Sequence, residues 1–161
     1  MTLYGEPALS ADALWDLCSA VAATPSIWSP ETFSSSARAC GPKRVRERRR
    51  HFSFHGPANL RGQAPVTEGW VEELRLFVGE APRDVDEATW RREDRKISVL
   101  AERYARRFRA ELGSSRTQWG NEVFEHGGHR VRVLPTQCVW VVVSSLAVVG
   151  RLNDYWPESE A

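Results

Sequence analysis

The chain has 161 residues, a formal net charge of +1, 42% hydrophobic and 27% charged side chains, which is the make-up of one domain that buries a core without a disulfide or a metal. A near-neutral balance argues against a protein devoted to duplex DNA, which carries a clear positive excess. The longest apolar stretch, Val139 to Val149, contains Ser144 and Ser145 and falls short of the roughly 20 residues a membrane-spanning helix needs, so no membrane association is expected.

Ser10 is a good N-cap for a helix over about residues 10–23, with Leu14, Leu17, Cys18 and Val21 as its apolar stripe. Thr24-Pro25 stops it. Residues 24–42 hold Pro25, Pro30, Gly41, Pro42 and a serine run, and read as loop with a short helical turn, pinned to the body by Trp28 and Phe33. From about Arg46 to Phe54 the spacing predicts a strand, with Phe52 and Phe54 on the face that also carries Arg44, Arg46, Arg48 and Arg50. Residues 55–66 read as loop. Trp70 to Val78 fits both periodicities and is assigned as strand.

Asp84 with Glu87 three residues on resembles a capping box, and Trp90, Ile97, Ala101, Tyr104, Phe108 and Leu112 form one long stripe ending at Gly113. A helix over about residues 84–112 follows. Asn121–His126 and His129–Leu134 around Gly127-Gly128 predict a hairpin with a two-residue turn. Gln137 to Ser144 is apolar on both faces, as a central strand covered on both sides would be. Ser145 to Arg151 reads as a short helix or a strand end, and residues 152–161 as an extended tail. The expected class is therefore α+β: a mostly antiparallel sheet of about five strands, with the long helix and the N-terminal helix packed on it.

All but Lys43 and Lys96 of the 22 cationic side chains are Arg, the bias a GC-rich coding genome leaves in bacteria and their phages. Arg38, Lys43, Arg44, Arg46, Arg48, Arg49 and Arg50 crowd one short segment, opposed there only by Glu47. Guanidinium groups grip carboxylates and phosphates with paired hydrogen bonds, so this block fits an acidic surface or a nucleic acid backbone. As an inert alternative it is a solvated strand edge. Of seven Trp, Trp15, Trp70, Trp90 and Trp140 fall on apolar faces and are expected in the core. Trp28, Trp119 and Trp156, with Tyr155, lie in loops or at the end and are candidates for contact with a partner.

The three cysteines, Cys18, Cys40 and Cys138, have no metal-binding spacing and are expected reduced in a cytoplasmic setting, since no leader pattern opens the chain. His51, His55, His126 and His129 suggest no metal, because two are far apart along a strand and two flank a turn. No cofactor and no catalytic motif is expected. The leading expectation is a non-catalytic protein-binding module of the bacterial or phage accessory kind, in the style of immunity, defence or structural partners. It would use Arg44, Arg46, Arg48, Arg49 and Arg50 with the outlying aromatics against an acidic protein partner or another copy of itself. A nucleic acid bound by the same segment, with Phe52 and Phe54 stacking, is the second reading. A small enzyme pairing Glu122 or Glu125 with His126 or His129 is the third.

Overall fold

The computed structural model describes residues 9–58, 60–80, 85–113, 115–118, 121–136 and 138–155. Ser10 is extended and its hydroxyl accepts from the Ala13 amide at 3.1 Å, which starts α1 (Ala11–Ala22) with Leu14, Leu17, Cys18 and Val21 buried. A 3-10 turn (Pro25–Trp28) and α2 (Phe33–Cys40) follow. The segment expected as loop is thus mainly helical, because Ile27, Trp28, Phe33 and Ala37 all find places in the core. The long helix is α3 (Glu87–Leu112), capped by the Asp86 side chain on the Thr89 amide and closed by Gly113 in the left-handed region. Asp84, the expected cap, lies outside the described residues. The last helix, α4 (Leu146–Tyr155), occupies the start of the expected tail, whose residues 156–161 are not described. Among the described residues no helix is long and apolar enough to cross a membrane.

The strands are β1 (Arg44–Glu47), β2 (His51–His55), β3 (Arg61–Thr67), β4 (Trp70–Val71), β5 (Leu74–Glu80), β6 (Arg116–Gln118), β7 (Asn121–His126), β8 (His129–Thr136) and β9 (Cys138–Ser145). They form one antiparallel sheet in the order β1-β2-β3-β5-β9-β8-β7-β6, with β4 hydrogen-bonded to β3. The class is the expected α+β, but with nine strands among the described residues rather than about five. The Arg-bearing strand is at one edge and the Val-rich strand is interior, as expected.

The surplus strands have physical origins. The predicted strand over residues 46–54 is two strands, because Arg48–Arg50 reverse the chain and β1 folds back on β2. Within the expected loop 55–66 lies β3, whose Gly62 is required by its neighbour: a Cβ there would sit 2.1 Å from Phe54 Cζ. The strand assigned to residues 70–78 is present in two pieces, β4 and β5. The β7–β8 hairpin turns on Gly127 and Gly128, with φ of 56° and 76°, as its Gly-Gly pair predicts.

Helices pack on one face of this sheet. Phe33 of α2 stacks on Phe52 with centroids 4.4 Å apart, Phe108 of α3 stacks on Phe124 at 5.5 Å, and Trp15 of α1 lies 5.2 Å from the His126 ring. Leu76, Val131, Val133, Val141 and Val143 complete that face, and Val148 and Leu152 of α4 join the same core. Among the described residues no helix covers the opposite face. The apolar run of β9 is therefore helix-covered on one side only.

Candidate functional site

The basic block folds into the β1–β2 hairpin. The Arg48 amide donates to the His51 carbonyl at 2.8 Å, and the Val66 amide donates to the Arg50 carbonyl at 2.9 Å, which ties the turn to β3. Lys43, Arg44, Arg46, Arg48, Arg49 and Arg50 are all exposed. None of them forms an ion pair among the described residues. One detail of the sequence reading is overturned. Arg44 and Arg46 do not share a face with Phe52 and Phe54. The reversal at residues 48–50 sets Arg46 opposite Ser53 and Glu47 opposite Phe52. Directly paired residues project to the same side of a sheet, so Phe52 and Phe54 enter the core while Arg44 and Arg46 stand on the helix-free face. The two phenylalanines, 3% and 2% exposed, are unavailable for stacking on a ligand.

Following the register from β1 traces what that open face carries. One cross-strand row runs Arg44, His55, Arg61, Phe77, Trp140, Leu134. The next runs Arg46, Ser53, Gln63, Arg75, Val142, then Arg132, Val123 and Arg116. Arg130 faces the same way beside Ser144 and Glu125. Arginines thus reach from one edge of the sheet to the other. Near the middle of the first row Phe77 and Trp140 touch, with centroids 4.3 Å apart and planes at 57°. Both rings are half-buried, and neither belongs to the core on the helix side.

Two carboxylates organise this cationic layer. Glu73, 14% exposed, accepts from Arg75 Nε at 2.7 Å and from Arg132 at 3.4 Å. Glu125 pairs with Arg116 at 2.9 Å across the strands. Val142 and Val123 are 2% and 1% exposed without belonging to the helix-side core, and their cross-strand partners are Arg75 and Arg132 for the first and Arg132 and Arg116 for the second, as expected where arginine stems lie along apolar surface. The Nε atoms of Arg130 and Arg132 are buried with no acceptor. Glu73 and Glu125 thus engage three guanidinium groups of this face, those of Arg75, Arg132 and Arg116.

The other candidate residues fare differently. Trp28 is not presented to a partner. It is 4% exposed, its Nε1 donates to His129 Nε2 at 3.0 Å, and the rings stack at 5.5 Å. His129 Nδ1 lies 2.8 Å from the Gly127 carbonyl, and with Nε2 accepting from Trp28 this fixes the proton on Nδ1. His129, which flanks the Gly127-Gly128 turn, is buried as part of this pair. Trp119 and Trp156 lie outside the described residues, as does the side chain of Tyr155 at the end of α4. Of the four tryptophans expected in the core, Trp15 and Trp70 are half-buried and packed against it, Trp90 is half-buried, and Trp140 is on the open face.

The acid–base constellation does not assemble. Glu125 points to the open face and His126 and His129 to the helix face. Glu122 is engaged by Arg109, which also forks onto Glu102 with 2.8 and 2.9 Å contacts. Hydrogen bonds from that guanidinium hold both carboxyls below the usual range, and theirs push the Arg109 pKa further up. Among the described residues no three His, Cys, Asp or Glu cluster as metal ligands.

Arg61, Arg75, Arg116, Arg130, Arg132, Phe77 and Trp140 escaped the sequence reading as parts of one surface. The available signal was alternation: Arg75 and Phe77 interleave with Leu74 and Leu76, and Arg130 and Arg132 with Val131 and Val133. Comparison of the chain with protein-family models, with curated proteins and with solved structures finds no match.

Proposed function

We propose that this chain is a non-catalytic binding module that holds an anionic macromolecule on the β1–β2 hairpin and the helix-free sheet face beside it. The observation that carries the reading is the hairpin itself: five arginines, Arg44, Arg46, Arg48, Arg49 and Arg50, exposed and without ion-pair partners among the described residues. Three of the five, Arg48, Arg49 and Arg50, crowd the turn itself, which backbone hydrogen bonds tie to β2 and β3. The accessory-protein character expected from the sequence is compatible with such a module, and an acidic protein surface and a nucleic acid both meet its charge requirement.

The test uses two labelled probes, a poly-glutamate peptide and a 20-nucleotide oligonucleotide, titrated with the wild type and with an R46E/R48E/R50E variant at low salt. Wild-type binding to at least one probe, lost in the variant and falling steeply with salt, supports the reading. No binding to either probe, or binding that the charge reversal leaves intact, overturns it.

A further inference from the structure

Resting on that reading, we infer that the occupant of the open face is a single-stranded nucleic acid, with its bases on Phe77 and Trp140 and its phosphates on the flanking arginines. Charge alone does not select a nucleic acid over an acidic protein. The aromatic pair does. Phe77 and Trp140 interrupt a row that begins with Arg44, His55 and Arg61, and the neighbouring row sets Arg75 and Arg132 alongside them. An acidic protein surface would satisfy the cations and leave the half-buried rings facing carboxylates. A nucleotide chain supplies both complements at each repeat, a phosphate and a flat base.

The single-stranded form follows from shape. A sheet face with no helix on it offers nothing that enters a groove, and bases paired inside a duplex are stacked on one another and cannot lie against Phe77 or Trp140. Eight strands in a row at about 4.8 Å spacing give a platform roughly 34 Å across, long enough for several extended nucleotides. The arginine preference fits as well. A guanidinium paired with Glu73 or Glu125 keeps a planar face for a base and further N–H groups for a phosphate. The unpaired Nε donors of Arg130 and Arg132 lie within this layer.

The experiment compares a fluorescein-labelled single-stranded 20-mer with labelled inorganic polyphosphate, which has the charge but no bases. Titrations use the wild type, F77L/W140L and R44E/R46E. Circular dichroism and a thermal melt establish that each variant is folded. The expected result is that F77L/W140L weakens oligonucleotide binding about tenfold or more, as loss of stacking on an aromatic does, while polyphosphate binding changes less than about twofold. R44E/R46E weakens both, and a duplex of the same length competes poorly. Should the aromatic variant misfold, ultraviolet crosslinking of the wild type to the oligonucleotide replaces it, with crosslinks expected on the peptides bearing Phe77 and Trp140. Equal losses for both probes, an unaffected aromatic variant, crosslinks elsewhere or an equally effective duplex each overturn the inference. Binding to poly-glutamate but not to the oligonucleotide would overturn it while leaving the anion-binding reading in place, whereas silence with all three probes would remove both.

Discussion

The register that creates the open face is tested at Gly62. Gly62 lies opposite Phe54 on the helix side, and an added Cβ would come 2.1 Å from Cζ and 2.2 Å from Cε2 of that ring. Phe54 is 2% exposed and lies against Phe33, so the ring has little room to swing away. Overpacking of a core costs about 1–3 kcal/mol, and so severe an overlap places Gly62→Ala near the top of that range, about 3 kcal/mol. The gain from replacing glycine in a strand, about 0.5–1 kcal/mol, does not offset it. Phe54→Ala alone should cost about 3–5 kcal/mol through lost burial and the cavity it leaves. In the double variant the overlap is gone and the new methyl fills part of that cavity. Its destabilisation should therefore equal or fall below that of Phe54→Ala alone, a coupling of about 3 kcal/mol. Urea denaturation of the four proteins measures the cycle. Additivity within about 0.5 kcal/mol would mean that Gly62 does not lie beneath the ring. The β2–β3 register would then be wrong, and Arg61 and Gln63 would lose their place on the open face.

Two further expectations concern charge and burial. Arg109→Met should destabilise the fold by about 1 kcal/mol at neutral pH, as expected for a partly exposed forked ion pair. Because Arg109 holds Glu102 and Glu122 below their ordinary values, its contribution is complete above about pH 4.3 and fades as pH falls through the lowered folded values. Wild type and variant should converge in acid, and a gap that stays constant down to pH 3 in urea melts would refute the pairing. Burial pushes the Cys18 thiol up to about 12. The unfolded chain ionises that thiol from about pH 8.5 and the folded chain does not, so stability is full below that pH and declines as pH rises toward the folded value. Under reducing conditions the wild type should lose about 2 kcal/mol more than Cys18→Ala between pH 8.5 and 10.5, and parallel pH profiles would show the thiol to be accessible.

What the sequence made legible was local. Ser10, Gly113 and the Gly127-Gly128 turn announce themselves because capping and positive φ depend on a residue's own chemistry and its nearest neighbours. β3 was not legible because Gly62 and Pro65 lower strand propensity, and the reason for the glycine is a ring on another strand. The facing of Arg44 and Arg46 depended on whether residues 48–50 turn. A continuous strand keeps even-numbered residues together, whereas the observed reversal pairs even with odd and exchanges the faces. Trp28 looked like a loop aromatic because its partner, His129, is 101 residues away. The candidate site was half visible for the same reason: the hairpin is contiguous in sequence, while the arginine rows exist only once β5, β6, β7, β8 and β9 are laid side by side.

Edge protection is the strongest rival explanation for the basic surface, since charged side chains on an outer strand discourage sheet-to-sheet pairing. It accounts for Arg44 and Arg46 on β1 and for Arg116 on β6. It does not reach Arg75, Arg130 or Arg132, which stand on strands hydrogen-bonded on both sides. Coverage of apolar surface by arginine stems explains two of these three, because Arg75 and Arg132 flank Val142. Arg130 has Ser144 and Glu125 as its cross-strand neighbours and a buried Nε without an acceptor. A threonine there would serve the sheet better and cost less side-chain entropy. Arg130 is thus the residue at which architecture stops explaining the cationic face. It is also where Arg130→Thr should separate the two accounts, leaving stability unchanged or improved while weakening the oligonucleotide.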